Sequence, residues 1–176
     1  MNSSGLHSKD SRAVFLVGFM GSGKTLAGRA LARRLGYRFV DLDDLIESRS
    51  GKPIRGIFLE SGEARFRELE REALEESCGL KSAVIALGGG AYVSEENRAL
   101  VASAGIAVWL DCPLDVCWER VAGDKSRPLA ANENDFRSLY EQRRAAYAQA
   151  DMVVHTQTRS PDEIASEIVE MLKAIA

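Results

Sequence analysis

Short runs of apolar residues recur along the chain, and segments with helical periodicity separate them. The five runs are Ala13–Val17, Tyr37–Val40, Ala83–Leu87, Ile106–Leu110 and Met152–His155. Uninterrupted apolar runs are typical of strands that are buried on both faces, and their alternation with helices is typical of βαβ units. The pattern therefore predicts an α/β fold, with a parallel sheet of five strands and helices on both faces.

Local signals predict where several helices begin and end. Apolar positions at helical spacing over Leu26–Leu35 predict a first helix, and Gly36 is expected to end it. A second helix is expected over about residues 43–49. Pro53 is then expected to open a short turn, and Ser61 is expected to cap a longer helix.

The last third of the chain carries two proline signals and one long polar segment. Pro113 is expected at the first position of a helix, and Ser160–Glu163 form a capping box with a proline just inside the helix. Segment 123–135 is polar and nearly aperiodic, which is typical of a loop. Residues 1–12 are polar and are expected to form a flexible leader, which leaves 13–176 as a single domain.

Composition and charge narrow the classes of protein to consider. With 176 residues, 45% of them hydrophobic and 28% charged, the chain suits one globular domain. A net charge of −3, with acidic and basic residues intermixed, argues against nucleic acid as a partner. No apolar run approaches the ~18 residues of a membrane helix. Three cysteines without a CxxC pair and only two histidines fit a reducing cytoplasm and supply no zinc site.

Residues Gly18–Thr25 match the phosphate-binding pattern G-x-x-x-x-G-K-[ST], between a predicted strand and a predicted helix. Glycines let backbone N–H groups surround a phosphate, and the helix directs its positive dipole end to the same anion. Lys24 would reach the β- and γ-phosphates, and the Thr25 hydroxyl would ligate Mg²⁺. The sequence therefore predicts a nucleoside triphosphate site. The small size and the lack of a guanine-reading Asn-Lys-x-Asp motif favour a small phosphotransferase.

Two further clusters follow the second and third predicted strands. The carboxyl ends of strands in such a sheet line the ligand crevice, so Asp41 and Asp43 are expected to face a substrate. Strand alternation would put both carboxylates on one face, whereas Asp44 suits the role of a helix cap. Gly88–Gly90 would let a ligand approach the backbone closely. The simpler alternatives are first-turn acids that the helix dipole favours and an ordinary glycine loop.

Two arginines complete a set of motifs with a specific order. Arg67 lies in S-G-E-A-R-F-R-E-L-E, and Arg143 lies four residues before Tyr147. A lone helical arginine is usually solvated, but together the motifs resemble the shikimate kinase family over residues 14–172. The motifs are Gly18–Thr25, Asp41-x-Asp43, Ile57–Glu70, Leu87–Gly90, Arg127-Pro128-Leu129, and Arg143 with Tyr147.

The resemblance implies a fold, a reaction and a set of partners. The fold would be the three-layer P-loop kinase fold with strand order 2-3-1-4-5 and a lid at about 122–135. The reaction would be ATP-dependent phosphorylation of the 3-hydroxyl of shikimate to shikimate 3-phosphate, a step toward chorismate and the aromatic amino acids. The resemblance further implies one Mg²⁺ in each active site. The charge and the lack of a long apolar run argue against a nucleic acid or membrane partner. We expect a cytoplasmic monomer.

The same resemblance assigns roles to individual residues. The catalytic set is Lys24, Asp43 as proton acceptor, and Arg127 as the lid arginine that meets the transferring phosphoryl group. The acceptor substrate would be held by Asp43, Arg67, Gly88, Gly89, Gly90 and Arg143. ATP would be held by Gly21, Ser22, Gly23, Lys24, Thr25, Leu26, Arg120, Arg127 and Arg159. The metal would be held by Thr25 and, through water, by Asp41.

Two positions depart from the family pattern, and neither removes a group that the chemistry needs. Leu26 stands where a second hydroxyl is usual, and Ala145 stands where a proline is common. Asp111 ends an apolar strand as a magnesium-binding Walker B aspartate does, but a helix follows, so we interpret it as a helix cap. Two other functions stay open: another small-molecule kinase such as a gluconate kinase, and a nucleotide-binding regulator without catalytic activity.

Overall fold

A computed structural model of the chain describes residues 11–122 and 132–176. Its strands are β1 (Ala13–Val17), β2 (Arg38–Asp41), β3 (Ala83–Ala86), β4 (Gly105–Asp111) and β5 (Met152–His155). Each strand agrees with a predicted run to within one residue at either end. The agreement is close because aliphatic and β-branched residues fit a pleated surface that is covered on both sides.

The strands form one sheet in the order β2-β3-β1-β4-β5, and all neighbouring pairs are parallel. The predicted α/β class and strand order are therefore confirmed. β1 lies at the centre, where Val14 pairs with Val84 of β3 and with Ile106 of β4. Parallel strands need a crossover between them, so the carboxyl ends of all five meet at one edge of the sheet.

The crossovers are helical. The helices are α1 (Lys24–Leu35), α2 (Leu42–Ser50), α3 (Ile54–Cys78), α4 (Glu95–Ala104), α5 (Leu114–Val121), α6 (Glu133–Tyr147) and α7 (Pro161–Ala174), with a short 3₁₀ helix at Ala91–Val93. Gly36 ends α1 in the left-handed region at φ 69°, as its position predicts. The predicted capping box is present on α7, where Ser160 Oγ accepts from the Glu163 N–H at 3.2 Å and the Glu163 carboxylate accepts from the Ser160 N–H at 2.7 Å. The sequence pattern did not predict α4.

Two other boundaries differ from the predictions. The expected short turn after Pro53 is helical, and α3 is interrupted at Gly62, which adopts φ 80° and ψ 173°. The second part of α3 therefore begins next to the predicted cap. The predicted loop over 123–135 is too long, because Glu133–Asp135 form the first turn of α6. Residues 123–131, and with them most of the predicted lid, lie outside the described residues, as do residues 1–10 of the predicted leader.

Both faces of the sheet carry a hydrophobic core. Along β1, Val14 and Leu16 pack against α1 and α7, while Phe15 and Val17 pack with side chains of α3, α5 and α6 on the other face. These layers hold the carboxyl edge of the sheet rigidly, and it is this edge that carries the site. In residues 11–122 and 132–176, no helix is both long enough and apolar enough to cross a membrane.

A glycine at the start of β4 tests the packing of the central strands. A Cβ added at Gly105 would lie 2.1 Å from the carbonyl oxygen of Ala13, and a backbone atom cannot move aside. We expect Gly105→Ala to lower the free energy of unfolding by about 1–3 kcal/mol or more, measured by thermal or urea denaturation.

Gly56 on α3 is the matched control, because a Cβ there would meet its nearest atom at an ordinary 3.5 Å. Gly56→Ala should stabilise the chain by about 0.5–1 kcal/mol, since alanine is the better helix former. Equal stability of the two variants would contradict the packing of β1 against β4.

Candidate active site

Two neighbouring cavities open at the carboxyl edge of the sheet. The P-loop cavity, of about 380 Å³, is lined by residues of the 21–26 loop, by Asp41 and Asp43, by 86–89, and by Arg120, Val121, Thr156, Arg159, Pro161 and Ile164. The arginine cavity, of about 220 Å³, is lined by Met20, Asp43, Asp44, Glu47, Ile54, Phe58, Phe66, Arg67, Glu70, Gly88, Gly89, Gly90 and Arg143. Asp43, Gly88 and Gly89 line both cavities. Groups bound in the two cavities would therefore face each other across these residues.

The phosphate loop follows β1 directly and leads into α1. Gly21 has φ 80°, and a Cβ there would lie 2.7 Å from the Cys117 carbonyl oxygen of α5. A side chain is therefore excluded both by the backbone conformation and by the close contact with α5. The loop ends at Gly23, where the unpaired N–H groups of the first turn of α1 begin and create a site for an anion.

Lys24 and Thr25, at the start of α1, present a cation and a hydroxyl to the P-loop cavity. The ammonium group of Lys24 donates to the carbonyl oxygens of Gly18 and Phe19 at 2.8 and 2.9 Å. The Thr25 hydroxyl donates to Asp41 Oδ2 at 2.7 Å. The hydrogen bond brings the two predicted metal-binding residues together across the crevice between α1 and β2.

Asp41 has a second role that corrects the sequence interpretation. It is the last residue of β2 and the cap of α2, because its Oδ1 accepts from the N–H groups of Asp43 and Asp44 at 3.1 and 3.4 Å. Asp43 is therefore in the first turn of a helix, and strand alternation does not explain why it lies near Asp41. The expectation that Asp44 is the cap is wrong, although Asp41 and Asp43 both line the P-loop cavity.

The donor set of Thr25 and Asp41 fits Mg²⁺. Magnesium prefers oxygen ligands and is commonly held by one or two protein oxygens together with phosphate oxygens and water. The hydroxyl and carboxylate of this hydrogen-bonded pair supply such oxygens beside the phosphate loop. Among the described residues, no cluster of three or more histidines, cysteines and carboxylates forms a protein-only metal site.

Arg120, Arg159 and Leu26 also line the P-loop cavity. Arg120 donates to the Gly21 carbonyl oxygen at 2.8 Å, which links α5 to the phosphate loop. Arg159 is held by the carbonyl oxygens of His155 and Glu163 at 3.1 and 3.2 Å and by the carboxylate of Glu167. These bonds fix the loop before α7 along one wall of the cavity.

The arginine cavity takes its name from Arg67 of α3 and Arg143 of α6. The guanidinium of Arg67 is paired with Glu70 at 2.8 Å and with Glu63 at 3.1 Å. A Cβ at Gly90 would lie 2.6 Å from Arg67 Nη1, and one at Gly89 would lie 3.4 Å from Arg143 Nη1. The absence of side chains at these glycines lets both guanidinium groups reach the same space.

Burial shapes the charges in this cavity. Arg143 is 6% exposed, and burial lowers the pKa of its guanidinium, with the nearby charge of Arg67 acting in the same direction. Burial also raises the pKa of Glu70, against the opposing effect of the two arginines. An arginine stays protonated at any physiological pH, so Arg143 is a buried cation that favours an anionic ligand.

Glu70 is a site residue that the sequence analysis missed. Its side chain is 2% exposed, and its Oε2 has no hydrogen-bond partner within the described structure. A Cβ at Gly88 would lie 2.8 Å from Asp43 Oδ1 and 3.1 Å from Glu70 Oε2, so both carboxylates border the same glycine. Glu70 closes the Ile57–Glu70 motif, three residues after Arg67, but it was given no role there because an i,i+3 pair on a helix is usually solvated.

The remaining wall of the arginine cavity is apolar. The rings of Phe58 and Phe66 are in contact, with centroids 4.8 Å apart, and Ile54 and Met20 lie beside them. An apolar wall that faces two guanidinium groups and two carboxylates suits a compact ring with one anionic group and several hydroxyls.

Asp111 does not have the role that the sequence suggested. The residue before α5 is Pro113, and the Asp111 carboxylate is instead paired with Arg144 at 2.9 Å. Asp111 is absent from the lining of the P-loop cavity, in contrast to Asp41. The interpretation of Asp111 as a helix cap is therefore wrong. Arg127, the expected lid arginine, lies outside the described residues.

The parallel sheet, the phosphate loop and the adjoining acceptor cavity define a P-loop kinase of small molecules. The family model described as shikimate kinase matches residues 20–173, and the chain belongs to the shikimate kinase family. The resemblance inferred from the sequence motifs is thus confirmed, and the chain is an enzyme of the kinase class.

Individual relatives agree with this assignment. The chain is 44% identical to a shikimate kinase from Persephonella marina, across 92% of this chain and 99% of the relative. It is also 44% identical to one from Geobacter sulfurreducens, across 93% and 92%. The solved structure of a shikimate kinase from Acinetobacter baumannii in complex with shikimate superposes with a TM-score of 0.90 at 35% identity and covers 93% of each chain. A gluconokinase from Sinorhizobium meliloti, at 17% identity and a TM-score of 0.61, shares the fold alone.

Lys24 provides a test of the phosphate site. Lys24→Ala should lower turnover by at least about 100-fold, because a charge that faces the phosphates is lost. The fold should be retained, because the ammonium group of Lys24 is bonded to loop carbonyls rather than packed in the core. Turnover is measured by ADP release, and the fold by circular dichroism.

Lys173→Ala is the matched control, since Lys173 is an exposed lysine on α7 that pairs with Glu170. It should leave turnover unchanged. A Lys24→Ala enzyme within about threefold of the wild type would contradict the phosphate site.

Proposed function

We propose that this chain transfers the γ-phosphoryl group of ATP to the 3-hydroxyl of shikimate, giving shikimate 3-phosphate and ADP. Use of ATP and shikimate as substrates follows from the family to which the chain belongs. The observation that carries the assignment to particular residues is the pair of arginines beside the phosphate loop, since two guanidinium groups suit a carboxylate. The product would continue toward chorismate and the aromatic amino acids.

The P-loop cavity is the proposed ATP site. Backbone N–H groups of residues 21–25 would bind the β- and γ-phosphates, assisted by the dipole of α1 and by the charge of Lys24. Arg120 and the loop at Arg159 would lie beside the adenine, and exposed Leu26 would contact the nucleotide.

One Mg²⁺ is proposed at Thr25 and Asp41. Thr25 would bind the metal directly, and Asp41 would bind it through water, which fits their hydrogen bond at 2.7 Å. When bound, the ion would neutralise charge on the phosphate oxygens. Because Asp41 also caps α2, it would tie the position of the metal to the start of the helix that carries Asp43.

The arginine cavity is the proposed shikimate site. Arg67 and Arg143 would hold the carboxylate, and the backbone at Gly88, Gly89 and Gly90 would let the ring approach closely. The unpartnered Oε2 of Glu70 would accept a hydrogen bond from a ring hydroxyl, which would remove the cost of leaving that buried oxygen unpaired. Phe58 and Phe66 would contact the apolar face of the ring.

Asp43 is proposed to orient the 3-hydroxyl and to accept its proton. Asp43 lines both cavities, so its carboxylate can reach a hydroxyl in one cavity that attacks a phosphoryl group in the other. Phosphoryl transfer through a loose transition state depends mainly on positioning and charge neutralisation, and proton transfer occurs late. Asp43 would therefore contribute more to orientation than to activation of the nucleophile.

Several expectations rest on the resemblance alone. They are Arg127 as the arginine that meets the transferring phosphoryl group, the lid at about 122–135, and a monomer. Residues 13–176 as one domain and a cytoplasmic location are expected from the length of the chain and from its cysteines as well. A lid that closes over the acceptor would exclude water and so limit wasteful hydrolysis of ATP.

A panel of acceptors tests the function. ADP release should be fast with shikimate and close to background with gluconate or with no acceptor, and mass spectrometry should find shikimate 3-phosphate. Turnover with gluconate alone would favour the other small-molecule kinase. Tight ATP binding without turnover on any acceptor would favour a regulator.

The two arginines generate a prediction about Michaelis constants. Arg67→Ala and Arg143→Ala should each raise the KM for shikimate about 10- to 150-fold, because a charge-assisted contact to a carboxylate is lost. The KM for ATP should change little. Arg65→Ala is the control, since Arg65 lies on the same helix but forms an exposed pair with Glu68. If the KM for ATP rose instead, the assignment of the shikimate site to the arginine cavity would be wrong.

Asp41, the cap of α2, and Asp43, in its first turn, generate a prediction that separates support of the metal from action on the 3-hydroxyl. Asp43→Asn should lower kcat by at least about 100-fold with ATP affinity nearly unchanged, because the charged carboxylate that orients the 3-hydroxyl and accepts its proton is lost. Asp41→Asn should instead be partly rescued by raising Mg²⁺, since its proposed role is to support the metal. Asparagine is also a good helix cap, so α2 should persist in Asp41→Asn.

The measurement is kcat against Mg²⁺ concentration for the wild type and both variants. Rescue of Asp43→Asn by Mg²⁺, with none for Asp41→Asn, would reverse the two assignments.

A further inference from the structure

Asp111 and Arg144 form an ion pair that the proposed reaction does not use. Arg144 Nη1 donates to Asp111 Oδ1 at 2.9 Å, and Arg144 Nη2 donates to Oδ2 at 3.5 Å. The pair joins the carboxyl end of β4 to the last turn of α6, across 33 residues of sequence. The Asp111 side chain is 15% exposed and that of Arg144 is 38% exposed, so water screens the carboxylate of this pair less than it screens pairs in which both partners are exposed.

Aromatic side chains hold the Arg144 guanidinium on its other sides. Its central carbon lies 5.0 Å from the ring centroid of Trp109 and 5.4 Å from that of Tyr140. Arg144 Nη1 also donates to the Tyr140 hydroxyl at 2.7 Å, and that hydroxyl donates to the Cys112 carbonyl oxygen at 2.8 Å. The two contacts to the carboxylate and the two rings restrict the positions that the guanidinium can adopt, although the Arg144 side chain is 38% exposed.

Arg143 is the next residue along α6, and it faces the arginine cavity. Neighbouring helical residues point about 100° apart, so the rotation of α6 that seats Arg144 on Asp111 also determines where Arg143 points. The Arg143 guanidinium lies 5.7 Å from the ring centroid of Phe19 and is largely buried. One turn further on, the Tyr147 hydroxyl donates to the Gly89 carbonyl oxygen on the cavity side.

We propose that Asp111 and Arg144 are positioning residues for the acceptor: their ion pair sets the rotation of α6 so that Arg143 meets the carboxylate of the substrate. This inference rests on the proposed function. Asp111 ends β4, where a Walker B aspartate would bind the metal. Its carboxylate is instead paired with Arg144, and its Oδ2 lies 3.3 Å from His155 Nδ1. It acts on acceptor binding rather than on the metal.

The test compares Asp111→Asn, Arg144→Lys and Arg144→Ala with the wild type. Each variant should raise the KM for shikimate by about 2- to 30-fold, and the KM for ATP and the Mg²⁺ requirement should stay within about twofold. Arg137→Ala is the control, because Arg137 is an exposed arginine of α6 that pairs with Glu133 at 3.6 Å. It should leave every constant unchanged.

A second arm separates positioning from a general structural role. In an Arg143→Ala background, Asp111→Asn should cause no further rise in the KM for shikimate, because the group that it positions is already absent. A rise of the same size in both backgrounds would mean that the pair only stabilises the fold, and it would overturn the inference. If Arg144→Ala fails to fold, the other two variants provide the same test. Asp111→Asn keeps the shape of the side chain, and Arg144→Lys keeps its charge.

The outcomes also distinguish the inference from the function on which it rests. A wild type that does not phosphorylate shikimate would overturn both. A wild type that does so, with variants that shift the Mg²⁺ requirement or the KM for ATP, would make Asp111 a metal or nucleotide residue and overturn the inference alone. A KM for shikimate unchanged in all three variants would also overturn it.

Discussion

Parallel pairing of β1 with β3 and β4 is the constraint on which the site depends. Because Leu16 pairs with Ala86 and Val17 with Trp109, the loops after these strands begin side by side. The phosphate loop then packs so closely that a Cβ at Gly18 would lie 2.7 Å from the Leu110 carbonyl oxygen. The P-loop cavity and the arginine cavity consequently share one edge of the sheet, and Asp43, Gly88 and Gly89 line both of them.

Buried charge is the basis of the selectivity that we propose for the arginine cavity. Arg143 and Glu70 are both buried beside a largely apolar wall, and Glu70 keeps one oxygen unpaired within the described structure. A ligand that supplies a carboxylate and hydroxyls would satisfy these groups, whereas one that lacks hydroxyls would leave Glu70 Oε2 without a partner at a cost of about 1–3 kcal/mol. The ion pair of Asp111 with Arg144 would extend this selectivity to a residue outside the cavity.

The sequence predicts those features whose signals are local. The strands, the phosphate loop and the capping box at Ser160 depend on neighbouring residues, while the strand order and the paired roles of Arg67 and Arg143 came from the family resemblance. The helix over Glu95–Ala104 was missed because it buries only Asn97 and Val101, so its apolar period is weak. The role of Asp41 depends on where β2 ends, and the role of Glu70 depends on what α3 packs against. The partner of Asp111 is Arg144, which is 33 residues away in sequence. Tertiary contacts determine these roles, and the periodicity of the sequence carries no information about such contacts.

The most direct test of the two-cavity arrangement is a crystal structure with shikimate and a non-hydrolysable ATP analogue. We predict that the shikimate carboxylate lies within about 3 Å of the guanidinium groups of Arg67 and Arg143, with the 3-hydroxyl between Asp43 and the γ-phosphate. The triphosphate should lie on the loop from Gly21 to Thr25. A shikimate carboxylate bound away from both arginines, or a 3-hydroxyl turned away from the γ-phosphate, would contradict the arrangement.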